Sequence, residues 1–174
     1  MQDGGHFKRL YLEDILTTLS LDPLTLAHAA ITLIAILSGF VVLAQMLAGR
    51  LSGGWTGIFL ATTLLTSVTG FVFFHPPAFT PAQGTGIVAL LVLAPTLYAL
   101  YLKHLAGAWR PVYVIGAVIS LYLNVFVLVV QLFLKVPKPA ITGGPLFGAV
   151  QLIVLLAFIL AGWRAVKRFP PAKA

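Results

Sequence analysis

The 174-residue chain has no cysteine, which excludes disulfides, thiol catalysis, iron–sulfur clusters and cysteine-based zinc sites together. Acidic residues are nearly as scarce. Asp3, Glu13, Asp14 and Asp22 are the only four, so residues 23–174 hold nine lysines and arginines and no carboxylate side chain. Charged residues make up 9% of the chain, against roughly 25% in ordinary soluble domains. The single asparagine, Asn124, lies in no Asn-x-Ser/Thr sequon and offers no N-glycosylation acceptor.

The middle of every long apolar run is also free of Asp, Glu, Lys and Arg. An ionisable group there is costly and marks a proton or ion pathway where it occurs. Its absence argues against a carboxylate-driven antiporter, a retinal-type Schiff-base lysine and an aspartyl intramembrane protease. Ser67 and His75 do not make a hydrolase pair either, because eight residues on one helix hold them about 12 Å apart.

What is present is apolar. Hydrophobic residues reach 60% and the mean hydropathy is +1.03, a composition that needs lipid as its solvent. The net charge of +7 is scattered singly between the apolar runs rather than gathered into a stripe. That pattern points away from nucleic acid and toward anionic lipid headgroups. The first run follows some 20 mixed residues and exceeds a signal-peptide core, so no cleavable targeting segment is expected.

Five apolar runs cover residues 23–47, 55–74, 85–102, 111–134 and 146–163. Each is long enough to cross a hydrocarbon core of about 30 Å at about 1.5 Å per residue. Glycine- and proline-rich separators punctuate them, among them residues 49–54, 75–77, 107–111 and 137–145. Residues 7–19 set Leu12, Leu16 and Leu19 apart from Lys8, Arg9, Glu13 and Asp14, the pattern of a short interfacial amphipathic helix. Asp22 before Pro23 is a strong helix start. The predicted fold is therefore an all-α membrane protein. An N-terminal tail with an interfacial helix (1–22) leads into a bundle of five transmembrane helices (23–168), and a basic tail (169–174) ends the chain.

With five spans, one face carries Lys8, Arg9, Lys135 and Lys138, and the other Arg50, Lys103, Arg110, Arg164, Lys167, Arg168 and Lys173. Four against seven predicts a cytoplasmic C-terminus and an external N-terminus, in a bacterial inner membrane. Trp55, Trp109 and Trp163 all fall on the seven-charge face, where an indole ring sits well among headgroups.

Two constellations are candidate sites. His28, about one turn into the first run, and His75, closing the second, fall at similar depth and could ligate a b-type haem iron. The plainer reading gives His28 a hydrogen bond within the bundle and His75 the carbonyl end of its helix. His104 lies at the opposite face and His6 in the tail, so a second haem lacks ligands. The other constellation is a polar lining. Ser120, Asn124 and Gln131 share one side of the fourth run with Tyr113 and Lys135, while Thr62, Thr66 and Thr69 mark the second run, with Thr63, Ser67 and Gly70 beside them. Facing one another these groups could line a cavity for a small solute or lipid headgroup, or they could serve only as hydrogen bonds between packed helices. Gly116 with Ser120 and Gly144 with Gly148 provide small-residue spacing for close packing, and Pro95 predicts a kink in the third run.

The expected function is that of a non-enzymatic accessory, assembly or scaffold subunit acting through helix–helix and lipid contacts, as a homo-oligomer or within a larger membrane complex. The alternatives are a b-type haem or metal protein using His28 and His75, and a solute- or lipid-handling protein lined by Thr66, Asn124 and Gln131.

Overall fold

The computed structural model describes residues 23–73, 80–135 and 144–169. The tail and interfacial helix expected over residues 1–22, His75, and the loop holding Lys138 lie outside that set. Among the described residues there is no strand. Five long helices follow one another: α1 (Pro23–Leu47), α2 (Gly53–Phe73), α3 (Pro81–Leu97), α4 (Trp109–Lys135) and α5 (Pro145–Arg168). A short π-helical turn, Tyr98–Leu102, continues α3. The all-α membrane bundle expected from the sequence is the architecture observed.

The boundaries shift for local reasons. α3 begins four residues earlier than hydropathy indicated, because Thr80 and Gln83 form a reciprocal capping box and Pro81 takes the first turn, where its missing N–H costs nothing. α5 runs on to Arg168, past the apolar stretch, since a helix continues readily into the headgroup layer where Arg164, Lys167 and Arg168 are solvated.

The five apolar runs of the sequence are the five long helices. Four helices among the described residues, all except α2, are long and apolar enough to cross a membrane. α2 has 21 residues, among them threonines at 56, 62, 63, 66 and 69, Ser67 and four glycines. Those polar groups are mostly turned inward: Thr56, Thr63, Ser67 and Thr69 are buried. The outer surface of α2 is apolar, with Ile58, Leu64, Leu65 and Val68 exposed. The polar groups of α2 therefore face its neighbours, and its apolar side chains face outward.

The helices run up and down. His28 meets Thr69 and Thr32 meets Thr66 across α1 and α2, Gly86 lies under Phe71 across α2 and α3, Gly116 against Thr96 across α3 and α4. Arg110 reaches Val166, and Gln151 reaches Phe126, across α4 and α5. Every pair joins an early position on one helix to a late one on the next, the antiparallel order expected of neighbours joined by short loops. The start of α1 and the end of α5 consequently lie at opposite ends of the bundle. The first end gathers the start of α1 and the α2–α3 and α4–α5 connections; the second gathers the α1–α2 and α3–α4 connections and the end of α5. Trp55, Trp109 and Trp163 all lie at the second end.

α4 is the centre. It packs against all four other long helices, and 44% of its apolar window is buried, against 6% for α5. The core that surrounds it includes Val42, Met46, Phe59, Leu93, Tyr113, Val114, Ala117 and Leu121. Without a hydrophobic drive between helices in lipid, such a bundle depends on close packing and interhelical hydrogen bonds. Two glycines permit the closest approaches: a Cβ at Gly39 would lie 2.6 Å from Leu121 Cδ1 and one at Gly116 would run into Thr96 Oγ1.

Candidate functional site

The polar residues picked out in the sequence do not form one lining. They divide into a ladder between α1 and α2 and a single buried bond between α2 and α4. In the ladder His28 Nδ1 lies 2.9 Å from Thr69 Oγ1. The Thr69 hydroxyl also lies 2.7 Å from the Leu65 carbonyl; donating there, it accepts from a proton on His28 Nδ1. One turn deeper, Thr32 donates to the His28 carbonyl at 2.8 Å, which makes Thr66 the donor in the 3.3 Å Thr32–Thr66 contact. Gly70 lies against the imidazole, where a Cβ would make ordinary contact with His28 Cε1 at 3.7 Å.

A histidine whose Nδ1–H is held by an oxygen has the orientation of a metal-ligating imidazole, and equally that of an ordinary packed one. The partner that a haem reading assigns, His75, lies outside the described residues. Among the described residues no three His, Asp or Glu side chains gather as a metal site.

Across the other seam, Asn124 Nδ2 donates to Thr63 Oγ1 at 3.1 Å, with both residues buried. One turn along α4, the Ser120 hydroxyl is fully buried and has no hydrogen-bond partner. Thr62 spends its hydroxyl on the Ile58 and Phe59 carbonyls of its own helix. Gln131 is exposed near the first end. Thus Asn124 pairs with the neighbour of the expected threonine, and Thr66, Asn124 and Gln131 face three different surroundings.

A second group of polar residues, at the second end, was legible only in fragments. Pro95 has no N–H to return to the preceding turn, and three residues on the helix widens: Lys103 N–H donates to the Tyr98 carbonyl and Leu105 N–H to the Ala99 carbonyl. To close this wide turn, His104 (φ 48°) and Leu105 (φ 60°) both adopt the left-handed conformation, which costs of order 1–3 kcal/mol for a residue other than glycine. The chain so turned forms one wall of a cleft of about 160 Å³ lined by Leu51, Gly53, Thr56, Leu100, Tyr101 and His104. Thr56 Oγ1 is buried in its wall without a hydrogen-bond partner, and so is Tyr113 Oη behind it. The two hydroxyls approach each other across α2 and α4 but miss hydrogen-bond geometry.

Around this cleft Lys103 Nζ stands 5.5 Å from the Tyr98 ring centroid and 5.9 Å from that of Trp109, and the two rings meet edge to face at 5.0 Å. Compared with protein-family models, with curated proteins and with solved structures, the chain matches none. What the cleft can do must therefore be judged from its groups. A hydroxyl, a phenol and an imidazole can hydrogen-bond water or a small polar molecule at the membrane surface. The sequence signal for the cleft was the cluster Tyr98, Tyr101, Lys103, His104 and Trp109 downstream of Pro95. Gln45 and Thr56, which complete the buried polarity of this end, carried no signal of their own.

Proposed function

We propose that this integral membrane protein is a non-enzymatic accessory or assembly subunit of a larger membrane complex, docking through the outer face of α5. One observation carries the reading: 6% of the apolar window of α5 is buried, while the other three apolar spans bury 22% to 44% of theirs. Among the described residues α5 packs against α4 and α1 and no other helix. Ile153, Leu156 and Leu160 stand on the side away from α4, all exposed. The polar groups of the interior support the same view, because His28, Thr32, Thr66, Thr69, Thr63 and Asn124 are engaged with one another rather than with an open cavity. Such a helix gains packing when a second membrane protein covers it.

We assign the second end to the cytoplasm of a bacterial inner membrane, on the count of seven basic residues against four and on the three tryptophans gathered there. A photoactivatable amino acid at Ile153 tests the docking. The expected result is a discrete protein adduct from Ile153 and none from Leu37, which is exposed on α1. An adduct near twice 18.6 kDa identifies a second copy as the partner, and any other mass a different protein. Lipid adducts alone at Ile153, with a solitary chain in mild detergent, would overturn the proposal.

A further inference from the structure

A groove runs along the α4–α5 seam, on a different side of α5 from Ile153. It has a volume of about 260 Å³ and is walled by Ile115, Val118, Ile119 and Tyr122 of α4 and by Leu155, Phe158, Ile159, Gly162 and Trp163 of α5. Its walls are apolar but for the Tyr122 hydroxyl and the indole N–H. Gly162 keeps the groove deep, since a Cβ there would already be 3.3 Å from Val118 Cγ1. Tyr122 and Phe158 meet edge to face at 5.7 Å deep in the seam. An apolar cavity of this kind excludes water, and the matching occupant within a bilayer is a hydrocarbon chain.

Charge selects the class of lipid. Trp163 lines the groove, and one turn on toward the second end Lys167 Nζ stands 3.9 Å from the Trp163 ring centroid. Arg110, at the start of α4, bridges to α5 by donating from Nη1 to the carbonyl of Val166, the residue before Lys167, at 3.2 Å. Two cations therefore lie at the second end of the seam along which the groove runs. No carboxylate side chain exists anywhere from residue 23 onward to neutralise them. A phosphate carried by the molecule whose chain fills the groove satisfies both.

We infer that the α4–α5 groove binds one anionic phospholipid, its acyl chain along Ile119, Ile159 and Gly162 and its phosphate between Lys167 and Arg110. The inference stands independently of the protein docking proposed above, since it concerns the isolated chain. The test uses a form with Trp55→Phe and Trp109→Phe, so that Trp163 is the sole fluorophore, in phosphatidylcholine vesicles doped with bromine-labelled lipid. Brominated phosphatidylglycerol is expected to half-quench Trp163 at about one tenth of the mole fraction needed for brominated phosphatidylcholine. Lys167→Gln, at an exposed position, should bring the two lipids close to parity without changing quenching by phosphatidylcholine. Gly162→Leu should reduce quenching by both. Equal quenching by the two lipids in the parent form, or a preference that survives both Lys167→Gln and Arg110→Gln, would overturn the assignment.

Discussion

Replacing Gly116 with alanine is expected to destabilise the bundle by about 2–3 kcal/mol, the cost of forcing extra volume into a packed seam. The added methyl would run into Thr96 Oγ1 and stand 3.1 Å from Thr96 Cβ. Thr96 cannot simply swing away. It is fully buried, branched at Cβ, and its hydroxyl donates to the Val92 carbonyl at 2.7 Å. Either that bond breaks or α3 and α4 separate, and α4 is the helix that every other one packs on. Thermal unfolding in mild detergent should show a fall in Tm of roughly 5–10 °C, at the 2–4 °C per kcal/mol usual for chains of this size. Thr96→Ala removes the obstructing oxygen and should restore most of the loss in the double variant, a coupling between sites in direct contact. An unchanged Tm for Gly116→Ala would mean that the two helices do not cross where they are placed.

Asn124→Leu is expected to cost about 1–2 kcal/mol, the upper range for one hydrogen bond between membrane helices. The substitution removes the donor to Thr63 and leaves a buried hydroxyl facing an apolar side chain. Pairing it with Thr63→Val takes away both polar partners and should recover much of the stability, because an unmet polar group costs more than an absent pair. Gln131→Leu, on the same helix but exposed, should leave Tm nearly unchanged. If Asn124 instead lined a solute path, its replacement would alter binding or uptake with little effect on Tm.

These two sites show where sequence reading succeeds and where it stops. The helices and their order were legible because runs such as 23–47 and 111–134 admit no other structure, and because glycine and proline separate them. The rotation of each helix was not. Thr62 and Thr63 are adjacent, and in a helix apolar on nearly every side periodicity does not say which of them faces α4; packing around Phe59 and Leu121 decides for Thr63. The start of α3 at Pro81 was written in the Thr80–Gln83 spacing, but hydropathy, which sees only apolar residues, passes over a capping box. The cleft at the second end was illegible for a different reason. It exists because Pro95 leads into a wide turn that throws His104 and Leu105 into left-handed backbone, and because Thr56, from another helix, closes the wall. No local pattern records a juxtaposition of residues 56 and 104.

The absence of native cysteine makes the arrangement of the helices directly measurable. Single cysteines at Ser52 and Ala108, in the two connections of the second end, and at Ala82 and Gly144, beside those of the first, would be challenged in intact cells with a membrane-impermeant maleimide. Labelling of Ala82→Cys and Gly144→Cys, with Ser52→Cys and Ala108→Cys protected until the cells are opened, is the predicted outcome, and it requires α2 to cross the bilayer despite its threonines. Ser52→Cys and Ala82→Cys reacting from the same side would contradict it.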